Sequence, residues 1–89
     1  MATVVFAKAF RRHVECPDEL VTGSSLREVM EGYFAMHPGT RSYVLDELGA
    51  VRKHVTVFLN SNQISDRRHL TDALGPNDTV HVFQALSGG

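Results

Sequence analysis

Ser25-Leu26-Arg27-Glu28-Val29-Met30-Glu31-Gly32-Tyr33-Phe34 is the stretch that decides how this chain folds. Leu26, Val29, Met30, Tyr33 and Phe34 recur at i, i+3, i+4, i+7 and i+8, which lines one face of a helix with a continuous apolar stripe. Arg27, Glu28 and Glu31 fall on the opposite side. Ser25 reads as the N-cap, and Glu28 three residues on gives the capping-box spacing. Gly32 costs up to about 1 kcal/mol relative to alanine inside a helix, and the stripe outweighs it. His37-Pro38-Gly39 closes the helix, because the residue before a proline is steered out of the α region.

What flanks this helix reads as strand. Upstream, Thr3 to Lys8 is β-branched and aromatic. Phe10-Arg11-Arg12 then turns the chain, and the polar–apolar alternation His13-Val14-Glu15-Cys16 predicts a second strand antiparallel to the first. Pro17 ends that strand or sits on an edge, having no N–H for a ladder. Downstream, Thr40 to Leu48 reads either as a short helix or as an irregular crossing with a strand fragment at Tyr43-Val44-Leu45, broken by Gly49. Val55-Thr56-Val57-Phe58-Leu59 is a strong strand, followed by the turn signal Asn60-Ser61-Asn62 and a brief return at Gln63-Ile64. Leu70 and Leu74 are core points in a polar segment, and Gly75-Pro76-Asn77-Asp78 is a turn before a last strand, Thr79 to Gln84.

One main helix packed across one mixed sheet is an α+β two-layer arrangement. Joining the first hairpin to the last strand across that helix gives the ubiquitin-like β-grasp topology. The expected organisation is a single domain over residues 1–84 and a flexible tail over residues 85–89.

Bulk properties narrow the function. An 89-residue chain builds one core and leaves little room for a deep cleft with supporting shells, which argues against an autonomous enzyme. Net charge is −1 with no block of like charge, so the basic stripe of a nucleic-acid binder is missing. No apolar run approaches the length of a membrane span and no signal-peptide pattern opens the chain. Cys16 is the only cysteine, so no internal disulfide forms, and a reducing cytoplasm is the expected compartment. The five histidines lack metal-site spacing, and no Gly-rich phosphate loop is present. No bound metal or cofactor is therefore expected. Cys16 reads as a half-buried structural thiol, since no His-Asp constellation accompanies it.

The remaining feature is the ending. Ala85-Leu86-Ser87-Gly88-Gly89 follows directly on an alternating strand. Two glycines let a backbone pass through a channel too narrow for side chains, although small terminal residues also fray without purpose. Strand periodicity points Phe58, His81 and Phe83 away from the helix if Val57, Val80 and Val82 point toward it. These three would form an exposed patch beside the tail unless the 40–53 segment covers them.

Taken together, Asp78 to Gly89, the block His54-Val55-Thr56-Val57-Phe58-Leu59-Asn60 and the helix start Ser25-Leu26-Arg27-Glu28-Val29 resemble the ubiquitin-like sulfur-carrier family. That family includes the small subunit of molybdopterin synthase, the thiamine-pathway sulfur carrier and the actinobacterial cysteine-pathway carriers. The likeness runs along essentially the whole chain. It departs at the linker, Ala85-Leu86-Ser87 where Ala-Val-Ala is usual, and at the 75–78 turn, where a Gly-Asp-Glu-like pattern is common. These departures leave open which pathway is served.

The resemblance implies a carrier that is acted on by enzymes. A ubiquitin-activating-type adenylyltransferase would supply the ATP site, and Leu86, Ser87, Gly88 and Gly89 would thread into it. Adenylation and then thiocarboxylate formation would occur at Gly89, and a sulfur-acceptor enzyme would take the sulfur. Phe58, His81 and Phe83 match the position of ubiquitin's recognition patch. Two rival readings share the fold: a modifier conjugated to lysines through Gly89, and a plain interaction domain whose Gly-Gly is incidental.

Overall fold

In the computed structural model, which describes residues 1–84, alternation along the strands fixes the layers. The elements are β1 (Ala2–Phe6), α1 (Lys8–Arg11), β2 (Glu19–Val21), α2 (Leu26–Met36), a 3-10 turn (Pro38–Thr40), α3 (Arg41–Val44), β3 (Val55–Leu59), β4 (Asn62–Gln63) and β5 (Thr79–Gln84). They form one five-stranded sheet in the order β2-β1-β5-β3-β4. β5 runs parallel to β1 and antiparallel to β3. This is the β-grasp arrangement, with β5 at the centre and the main helix on one face.

Val4 and Phe6, Val55 and Val57, and Val80 and Val82 are buried on the inner face, where the stripe of α2 meets them. All five stripe residues are buried. Tyr33 is fully enclosed, with its ring 5.1 Å from that of Phe6 and its hydroxyl donating to the Pro17 carbonyl at 2.7 Å. Gly32 has a packing reason: a Cβ there would stand 2.7 Å from Cγ1 of Val21, a stiff buried side chain on β2. The glycine lets α2 lie close on the sheet.

The helix start is fully partnered. Ser25 Oγ accepts from the Glu28 amide at 3.2 Å, while Glu28 Oε1 accepts from both the amide and the hydroxyl of Ser24 at 2.9 Å. The carboxylate thus reaches one residue beyond the N-cap. The amides of Leu26 and Arg27 donate to the carbonyls of Asp72 and Leu70, each at 2.8 Å. The 65–74 segment therefore caps the helix.

Two expectations are corrected. The second strand is Glu19–Val21, paired Ala2↔Val21, Thr3↔Leu20 and Val4↔Glu19, and not 13–16. Lys8–Arg11 is helical because Phe10 turns back under the sheet, edge-on to Phe6 at 5.3 Å, and its carbonyl accepts the amides of His13 and Val14. Val14 and Cys16 then face the core from an irregular crossing, which imitates strand alternation. The 40–48 segment is a turn and a short helix, followed by an isolated bridge from Leu45 to Val51. Gly49, at φ +82°, turns the loop that this bridge closes.

Asp66 organises the cap segment by accepting from the Thr71 hydroxyl (2.6 Å) and from the His69 and Arg68 amides (2.9 and 3.1 Å). These bonds, the Thr71 hydroxyl first, lower its carboxyl pKa to about 2, against about 3.9 in an unfolded chain. A depressed carboxylate contributes stability that is present above the unfolded value and lost as pH falls through the folded one. The thermal midpoint is therefore expected to fall between about pH 4 and pH 2. Asp66→Asn should start lower at neutral pH and fall less steeply, as read by thermal denaturation across that window.

Candidate functional site

The site is built around β5, and a polar clamp at its start sets the register. Asn60, at φ +56° in the turn after β3, donates its amide to the Thr79 carbonyl at 2.8 Å. Its side chain accepts from the Thr79 amide at 3.0 Å and donates to Asp78 at 3.1 Å. The other Asp78 oxygen accepts from the Gly75 amide at 2.8 Å. These bonds hold the Asp78 carboxyl below its ordinary range, the Gly75 amide contributing most. With both turns clamped, Phe58 stands opposite His81 and Thr56 opposite Phe83.

The clamp brings the three patch residues together on the outer face. The Phe58 and Phe83 rings meet edge-on at 5.6 Å, and the His81 ring stacks on Phe83 at 6.0 Å. Phe83 is 41% exposed, and Phe58 and His81 are half-buried. With Asn60 and Ser61 they line a shallow depression. The 40–53 segment does not cover them. No side chain of Thr3, Val5, Thr56, Thr79, His81 or Phe83 on this face is buried.

β5 ends at the exposed Gln84, opposite Val55. Leu86, Ser87, Gly88 and Gly89, and the proposed tail as a whole, lie outside the described residues.

Sequence reasoning missed a second depression. It opens at the Gln84 end, between Phe10 and His13 on one side and Tyr43 and Arg52-Lys53-His54 on the other. The available signal was an aromatic residue in a polar segment followed by a short basic run. The two are linked through the Leu45–Val51 bridge and through the bonds of Arg52 to the Val44 and Ser42 carbonyls.

No group of three or more His, Cys, Asp or Glu side chains is placed to hold a metal among the described residues. Cys16 is buried, and desolvation pushes its thiol pKa up, with Arg11 opposing the shift. A thiol so disposed is a poor nucleophile. No described helix is long and apolar enough to cross a membrane.

The chain is similar to several solved structures. A chain of the Amycolatopsis orientalis BexX/CysO complex superposes with a TM-score of 0.83 at 19% identity, covering 100% of both chains. Mycobacterium tuberculosis CysO gives 0.82 at 20% identity over 97% of this chain and 100% of that one. SAMP1 from Haloferax volcanii gives 0.77 at 19% identity over 99% and 98%. At such identities the likeness establishes the fold. Among curated proteins, no sequence matches significantly. The sequence itself matches the ThiS family from residue 4 to residue 89, a span that takes in the last three residues of β1, all of β2 to β5, the clamp at Asn60 and Asp78, and Gly88-Gly89. On that match and that fold, the chain belongs to the ThiS family.

Proposed function

We propose that this protein is a sulfur carrier, loaded at the carboxylate of Gly89 and unloaded by a biosynthetic enzyme. The observation that carries the reading is the family match through Gly88-Gly89, separated by three residues from a central strand whose register is clamped at its start. In this reading a partner adenylyltransferase binds ATP. A Gly89 carboxylate oxygen attacks the α-phosphorus, pyrophosphate leaves, and an acyl-adenylate forms. The terminal sulfur of a cysteine persulfide on a partner attacks the acyl carbon and displaces AMP. A second thiol then cleaves the resulting S–S bond, leaving a thiocarboxylate at Gly89 for the acceptor enzyme. The carrier's own contribution is reach and positioning, which reduces the entropic cost of bringing the reacting groups together.

The exposed Phe58-His81-Phe83 surface fits a docking role, because contiguous exposed apolar patches mark interaction sites. Phe83→Asp should leave the thermal midpoint within a few degrees of the parent and reduce partner affinity about tenfold or more, since central aromatic anchors dominate interfaces. Calorimetric titration with the adenylyltransferase checks it. Unfolding of the variant, or unchanged affinity, would count against the patch.

The family reading itself is tested by ATP–pyrophosphate exchange with the adenylyltransferase purified from the same host. Exchange that depends on this carrier supports it, and none with wild-type protein refutes it. Likeness to a small archaeal modifier from Methanosarcina acetivorans (TM-score 0.79) motivates a second reading, conjugation to lysines from the same adenylate. Gly-Gly remnants on lysines of other host proteins would favour that reading.

A further inference from the structure

We propose that the groove at the Gln84 end of the sheet is a second docking point, taking an acidic, apolar-tipped segment of the adenylyltransferase. This rests on the reading that Gly89 is adenylated.

The groove has an apolar floor and a cationic rim. Phe10 and Val55, each 4% exposed, form the floor. Tyr43 makes one wall, 40% exposed, with its ring stacked over His13 at 6.3 Å. Arg52, Lys53 and His54 stand exposed along the rim. The acidic lining residue is Asp46, and one of its oxygens already accepts from the Leu48 and Ala50 amides at 2.9 and 3.0 Å. An apolar side chain would find the floor, and carboxylates beside it would meet the rim.

The rim is held in place before any partner arrives. The Arg52 amide donates to the Val44 carbonyl at 2.9 Å, and its guanidinium donates to the Ser42 carbonyl at 2.6 Å. From the other side, the Arg67 guanidinium donates to the Arg52 carbonyl at 2.6 Å. Backbone and base are thus fixed, while Lys53 and His54 make no side-chain hydrogen bond or ion pair among the described residues. Lys53 is one of two lysines in a chain of net charge −1, so the cationic character here is local and not a reflection of the whole molecule.

Position selects the occupant. Gln84 lines the groove and is the last described residue of β5. Five further residues reach at most about 17 Å when extended. An enzyme that takes Gly89 into its active site must therefore overhang this end of the sheet. The aromatic patch lies on the outer face of β5 and reaches toward this end at Phe83, and the groove lies on the helix side. An acidic partner gains both a faster approach and a fixed orientation from such a rim.

The test is carrier-dependent ATP–pyrophosphate exchange with the purified host adenylyltransferase, using Lys53→Glu/His54→Glu and, separately, Tyr43→Ala. Both variants should raise the KM for carrier about tenfold, with a much smaller effect on kcat, and the charge variant should weaken the salt dependence seen with wild type. Because Lys53 and His54 are exposed, the charge variant should melt with the wild type, which separates docking from folding. KM values within twofold of wild type, with wild type active, overturn the groove and leave the carrier reading standing. Saturable shifts of the Tyr43 and His54 resonances on adding ATP or inorganic phosphate to the carrier alone would assign the groove to a small anion and overturn it as well. No exchange with wild type removes the carrier reading and this inference together.

Discussion

Tyr33→Ala is expected to destabilise the domain by about 3–5 kcal/mol, the cost of emptying a large aromatic site in a core. Tyr33 has no exposed surface and packs against Phe6, Phe34 and His37, with ring centroids at 5.1, 6.4 and 4.9 Å. Its hydroxyl also ties α2 to the irregular crossing before β2 through the Pro17 carbonyl. A domain of this size has a total stability of roughly 5–10 kcal/mol, so the variant should be largely unfolded at moderate urea and marginal without it. Tyr33→Phe keeps the ring and removes only the hydrogen bond, which should cost about 1 kcal/mol. Urea denaturation of both variants checks the division. A shift in midpoint for Tyr33→Ala no larger than for Tyr33→Phe would mean that the ring is not central to the core.

Adding a single alanine after Gly89 should reduce carrier-dependent pyrophosphate exchange by about 100-fold or more. One residue moves the carboxylate by about 3.5 Å, and it also puts a Cβ where the proposed channel admits only glycine. The change is far from the core, so urea midpoints and affinity for the adenylyltransferase should stay near the parent values. A reduction in rate without a loss of binding is the expected signature. An extended chain that exchanges at the parent rate would remove Gly89 from the chemistry.

How far the sequence could be read follows from how local each signal is. The α2 stripe and its Ser25 cap are set within one helix, and all five stripe residues are buried as the spacing requires. β3 and β5 were legible because period-two alternation places Val57, Val80 and Val82 inward and Phe58, His81 and Phe83 outward. β2 was misplaced because Glu19-Leu20-Val21 is too short to carry a pattern, while Val14 and Cys16 face the core without pairing in a strand. The relative position of Phe58 and Phe83 depends on the Asn60–Asp78 clamp, an interaction across 18 residues that no local period reports. The groove was invisible for the same reason. Tyr43 and Lys53 come together because the Leu45–Val51 bridge and the bonds of Arg52 to the Val44 and Ser42 carbonyls fold the intervening loop back on itself.

The cap segment illustrates the limit differently. Leu70 and Leu74 read correctly as core points, and both are buried. That their neighbours Asp66 and Asp72 organise the segment through side-chain oxygens was not apparent in the sequence. Asp72 accepts the Ser65 and Asp66 amides at 2.9 and 3.0 Å, which shapes the loop that caps α2. Acidic residues in a polar stretch look alike until their backbone partners are known.

The carrier reading is tested most directly by the intact mass of the protein isolated from its own host, with the change localised on the peptide that ends in Gly89. The account predicts a species heavier by one sulfur in place of one oxygen, confined to the Gly89 carboxyl group and lost when the adenylyltransferase gene is removed. Protein that carries only the ordinary carboxylate while the adenylyltransferase is present and active, together with Gly-Gly remnants on lysines of other host proteins, would contradict it.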